Sequence, residues 1–81
     1  MKLQVNTGDA RFIVLTAAGS TFAELRETIT SQYSKLFPRR PPLLIRWLLD
    51  SHHNIIDYDF FLHDVLAPND VVNVKTYRHR Y

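Results

Sequence analysis

Four histidines and a run of carboxylates are the groups in this 81-residue chain that could do chemistry. His52 and His53 are adjacent, Asp50 and Asp57 flank them, and His63 and His79 follow. Imidazole and carboxylate together can ligate zinc, but a zinc site needs three or four convergent ligands at defined spacing. The sequence shows no such set, and turn positions are the expected place for these histidines. The absence of cysteine removes disulfides and thiolate metal sites. With only two glycines, no phosphate-cradling loop can be drawn, nor can a Ser-His-Asp set or a paired-carboxylate cleft. The expectation is therefore no enzyme, no catalytic residue, no cofactor and no metal.

What remains is the chemistry of charge. Residues 50–70 hold five of the eight carboxylates, Asp50, Asp57, Asp59, Asp64 and Asp70, and no lysine or arginine, for a net −5. The rest of the chain sets ten cations against three carboxylates, for a net +7. A small domain polarised in this way can pair an acidic surface with a basic one. The overall charge of +2 is too small for a general nucleic-acid binder. Arg39, Arg40, Lys75, Arg78 and Arg80 have no aromatic platform beyond Tyr77 and Tyr81, so no nucleic acid is expected.

The elements that must position these groups follow from periodicity. Eighty-one residues make one domain, expected over 1–77 with a frayed basic tail at 78–81. No apolar run reaches the roughly 20 residues that span a membrane, and the start lacks the apolar core of a signal peptide. Lys2 to Val5 alternates, Asn6-Thr7-Gly8-Asp9 has turn chemistry, and Arg11 to Thr16 is rich in strand formers, which predicts a hairpin. Arg11 is costly to bury. Phe12 and Val14 therefore point inward, and Ile13 lies outside beside Lys2, Gln4 and Arg11.

Thr21 and Glu24 spell a capping box. The helix it opens runs to about Phe37, with Phe22, Leu25, Ile29, Tyr33 and Leu36 as its apolar stripe and Pro38 as its stop. Leu43 to Leu49 reads as a central strand, with Leu43, Ile45 and Trp47 inward and Leu44 and Arg46 outward, unless a bulge near Leu48 shifts the parity. A turn over 50–54 leads to a short strand at Ile55-Ile56 and a helical turn over 58–62 capped by Asp57 or Asp59. After a turn at 67–70, Val71 to Tyr77 is the last strand, with Val72 and Val74 on one side. One amphipathic helix covering one face of a mixed sheet makes a two-layer α+β domain. Its order is β-β-α-β-β-(short helix)-β, that of a ubiquitin-like β-grasp roll.

Within that fold the start MKLQVNTGDARFIVL resembles the N-terminal domain of the cell-polarity scaffold Par-3. There a Met-Lys-hydrophobic-x-Val strand passes through a Gly-containing turn to an Arg-led apolar strand. IIDYDFFLHDVLAPND-VVNV is similar to that family's run before its last strand. PB1, DIX and coilin-like domains share the general pattern. The resemblance implies a non-catalytic scaffold module that assembles head to tail with copies of itself, or with a related domain, in the cytoplasm at the cell cortex. Carried over by position, the basic side is Lys2, Arg11 and Arg46 with Ile13 as apolar anchor, and the acidic side is Asp57, Asp59, Asp64 and Asp70.

Exposed ion pairs contribute only about 0–1 kcal/mol each, so such an interface also needs an apolar centre. Ile13 and Leu44, or Phe60 and Phe61, could supply it. The alternative is a ubiquitin-like docking module recognised by a different protein through the outer sheet face. A conjugated modifier is not expected, because the sequence closes on Arg78-His79-Arg80-Tyr81 rather than Gly-Gly.

Overall fold

The computed structural model describes residues 1–77, so the basic tail at 78–81 lies outside the described residues. Two antiparallel strands, β1 (Lys2–Asn6) and β2 (Arg11–Leu15), open the chain. Gly8 turns between them at φ +94°, a backbone region open to glycine, and its N–H donates to Asn6 Oδ1 at 3.0 Å. Helix α1 (Phe22–Leu36) follows, then β3 (Ile45–Leu49), a single turn α2 (Leu62–Val65) and β4 (Val71–Thr76). The sheet order is β2-β1-β4-β3, with β1 and β4 parallel at its centre. This four-stranded mixed sheet with one main helix is the expected β-grasp-like α+β fold.

Both halves of the capping box are formed: Glu24 N–H donates to Thr21 Oγ1, and Thr21 N–H donates to Glu24 Oε1. The loop before α2 also serves the helix N-terminus, where Phe22 and Ala23 donate to the carbonyls of Phe60 and Tyr58 at 3.0 Å. Those two N–H groups have no partner within the helix. Phe22, Leu25, Ile29 and Tyr33 are buried against Leu3, Val5, Val14, Ile45, Leu48 and Val72. Leu36, predicted in the same stripe, is 45% exposed in the last turn of the helix.

Several local expectations are corrected. β3 is an edge strand, not a central one. A bulge falls between Ile45 and Trp47, one turn of the pleat earlier than expected. It swaps the two residues that follow, so Leu48 is fully buried and Trp47 is only half-buried. Ile55-Ile56 forms no strand; Ile55 makes one isolated bridge to Leu49, and Ile56 is buried. The helical turn lies at Leu62–Val65, and its N-cap position, Phe61, makes no side-chain capping bond. Asp57 caps the preceding turn instead, accepting the Asp59 N–H at 2.8 Å.

Candidate functional site

Cross-strand partners share a face of the sheet, so the register defines the surface turned away from α1. Leu15 lies opposite Lys2, Ile13 opposite Gln4, and Arg11 opposite Asn6. Across the parallel pair, Gln4 meets Val71 and Asn6 meets Asn73. Beyond these, Leu49 meets Asn73 and Trp47 meets Lys75. The outer face thus carries Lys2 and Arg11 beside exposed Ile13 and Leu15, with Lys75 two strands away beyond the Asn6 end of β1, and among the described residues of these strands it holds no carboxylate. Ile13 is 52% and Leu15 75% exposed, which is unusual for large aliphatics so close together.

Lys2, Arg11 and Ile13, three residues singled out in the sequence, are therefore brought together. Arg46 is placed elsewhere. It sits at the bulge of β3, three strand spacings from β2, or about 14 Å, with its guanidinium 5.9 Å from the Trp47 ring centroid. Trp47 in turn stacks on Tyr58 at 6.4 Å, and Arg26 from α1 lies 4.6 Å over Tyr58. This cation–aromatic chain ties the residue 55–60 segment to β3 and α1. Leu44, the other outward apolar residue, is 49% exposed just before β3, and its carbonyl accepts the Tyr77 N–H.

The acidic stretch is largely occupied with its own turns. Asp50 accepts the N–H groups of His52 and Asn54 at 2.9 Å and the Asn54 amide at 3.0 Å. The Asn54 side chain first, then its backbone N–H, holds the Asp50 pKa below the ordinary 3.8. Asp57 closes its own turn as described, and Asp70 accepts the Ala67 N–H at 2.8 Å. Asp64 lies 3.5 Å from His63, and Asp59 is exposed. Phe60 is 51% and Phe61 45% exposed, with Phe61 stacked on His63 at 5.9 Å. In the β1–β2 turn, the Thr7 hydroxyl donates to Asp9 at 2.7 Å and lowers the Asp9 pKa, with Arg40 adding a 3.2 Å ion pair. Among the described residues, no three histidine or carboxylate side chains converge as a metal site would require, and no helix is long and apolar enough to cross a membrane.

Leu15 and Lys75 of this face are not among the residues assigned to either side of the expected interface. Strand parity already places Leu15 beside Ile13, and that signal was enough to find it. Lys75 needed the β1–β4 pairing, which joins residues about 70 positions apart in the chain.

A family model described as the N-terminus of a Cdc14 phosphatase binding protein matches residues 9–76. No curated protein matches the chain. The match corrects the resemblance to Par-3 and with it the expectation of a head-to-tail polarity scaffold. The residues that carried the resemblance are those this fold needs in any case. Leu3, Val5, Val14, Ile56, Leu62, Leu66 and Val72 are buried core, and Asp57 and Asp70 close turns. A shared core and shared turns reproduce a fold's pattern without reproducing its partner.

Proposed function

The chain belongs to the family of Cdc14 phosphatase binding protein N-termini, and from that premise we propose that it is a docking domain for a phosphatase of the Cdc14 kind, held through its outer sheet face. The observation that carries this reading is the outer sheet face where Lys2 and Arg11 flank exposed Ile13 and Leu15, with no carboxylate among the described residues of its strands. The exposed aliphatics offer the apolar centre that a binding surface requires. The two cations offer steering and register towards an acidic patch on the partner. The domain acts by binding, with no reaction of its own.

The test uses purified phosphatase and the immobilised domain. Lys2→Glu with Arg11→Glu should weaken binding by tenfold or more, about 1.4 kcal/mol. Raising the salt should weaken the wild type in the same direction. The reading fails if the double variant binds like wild type. Loss of binding on Asp59→Lys with Phe60→Ala would then move the contact to the acidic side.

A further inference from the structure

The β1–β2 register leaves a set of backbone groups facing outward. Thr16 N–H donates to Met1 O at 2.9 Å, and Thr7 N–H donates to Ala10 O at 3.0 Å. Antiparallel ladders alternate between hydrogen-bonded and non-hydrogen-bonded pairs. Leu3–Val14 and Val5–Phe12 are therefore the bonded pairs between those two, and Lys2–Leu15, Gln4–Ile13 and Asn6–Arg11 are not. The other side of β1 agrees with this assignment: Gln4 N–H points towards β4 and donates to Asp70 O at 2.9 Å. It follows that the N–H and C=O groups of Arg11, Ile13 and Leu15 point away from the sheet, and no described strand pairs with them.

Folded proteins blunt such an edge by keeping it short or charged, as Arg11 does at one end of five-residue β2, or with proline, a bulge, inward charge or a covering strand. Proline, a bulge and inward charge are absent from Arg11–Leu15, and no described strand covers it. The edge is instead flanked by apolar relief. A groove of about 440 Å³ takes in Arg11 and Ile13 of β2 and Leu36 of α1 and extends inward to Gln4 and Asn6 of β1 and Val71 of β4. A second, of about 340 Å³, continues along Ile13, Val14 and Leu15 against Thr28 and Gln32. Arg11 stands at one end of β2, and at the other Lys2 lies across from Leu15 on β1, roughly 13 Å further along the strands.

We infer that β2 accepts an added strand: an extended segment of a partner protein with the alternation acid, apolar, apolar, apolar, acid. Its first, third and fifth side chains lie on the outer face: one acid beside Arg11, the central side chain beside Ile13, and the other acid beside Leu15, where the long Lys2 side chain reaches from β1, two strand spacings or roughly 10 Å away. Its second and fourth side chains enter the relief between β2 and α1, where the helix presents neutral Thr28 and Gln32. Backbone pairing supplies the common affinity, and the alternating side chains supply the selection. The pattern is symmetric, so it fits a strand running in either direction. This inference rests on the docking reading above for the identity of the partner, but the edge itself does not depend on it.

The probe is the acetylated, amidated peptide Ser-Glu-Val-Ile-Val-Glu-Ser, titrated into isotope-labelled domain and followed by NMR. Amide exchange of Ile13 and Leu15 should slow on saturation, while the already paired Phe12 and Val14 change little. Ile13→Pro removes an outward donor without touching the β1 pairing, and it should weaken the peptide at least about tenfold, as expected for hydrogen bonds left unmade. Arg11→Glu should weaken it as well, which keeps the test alive if the proline variant folds poorly. The inference is overturned if the peptide fails to bind at about 1 mM, or if its effects fall on β3 or on the acidic stretch. It is equally overturned if Ile13 and Leu15 become protected with rising domain concentration and no peptide, which would assign the edge to a second copy. Phosphatase binding that survives Ile13→Pro but not Lys2→Glu with Arg11→Glu would sink strand addition and keep the docking face. Peptide binding without any phosphatase binding would do the reverse.

Discussion

β3 and β2 lie at opposite edges of the same sheet, and they are finished differently. Along β3, Ile56 N–H donates to Leu48 O at 2.9 Å, and the Tyr58 hydroxyl donates to Arg46 O at 2.8 Å. Ile55 bridges Leu49, and the bulge at Arg46 twists what remains out of register. Along β2, the outward groups of Arg11, Ile13 and Leu15 meet no described strand, and two of the three side chains are large aliphatics. Among the described residues such a cover lies along β3, and β2 carries none. The contrast separates an edge closed for solubility from one left available for contact.

The largest expected effect breaks the contrast within β2 itself. Val14→Pro removes an N–H that bonds to β1 and disturbs a buried side chain, so urea unfolding should show a loss on the order of 3 kcal/mol or more. Ile13→Pro, one residue away with its N–H outward, should cost less than about 1 kcal/mol. Equal losses would mean that β2 is not an open edge. Next comes packing. Leu48→Ala empties a fully buried position on β3 and should cost about 3 kcal/mol. Leu15→Ala, at 75% exposure on β2, should stay within about 0.5 kcal/mol by the same measurement.

Tyr58→Phe tests the cover directly. It strips the hydroxyl from Arg46 O and should destabilise by about 1 kcal/mol, with faster amide exchange at Ile56. Unchanged exchange would show that the bridge at Ile55 closes the edge unaided. The smallest effect is acidic. The Asp50 pKa is lowered in the folded state, so its contribution is complete above 3.8 and is lost as the pH falls through the folded value. Below 3.8 the His52 and Asn54 amide signals should shift as the loop beside β3 loosens, while the Ile13 signal stays in place. A matching shift at Ile13 would couple the two edges.

How far the sequence carried these features depends on the range of the interactions behind them. The capping box at Thr21 and Glu24 was legible because its partners are three residues apart. So were the inward Leu3, Val5 and Val14 and the outward Lys2, Arg11 and Ile13, because strand parity is a local rule once one charged residue fixes the side. The carboxylates carry two readings. Five aspartates in one stretch look like a surface for a partner, but asparagine and backbone N–H groups within four residues account for Asp50, Asp57 and Asp70. Aspartate is a turn former first, and only the hydrogen bonds show which role each one takes.

By itself, then, the sequence determined the α+β class, the helix with its cap and most of its buried stripe, and the side of the first hairpin that faces solvent. Each follows from spacing along a few residues of chain. The tertiary structure alone decided that LLIRWLL ends as an edge strand with its bulge at Arg46, that Leu48 rather than Trp47 is buried, and that β2 keeps an open side. Those outcomes depend on which strands hydrogen-bond across distances of tens of residues. A five-residue apolar strand has the same local pattern at the centre of a sheet and at its rim, and only the partner that comes to lie beside it tells the two apart.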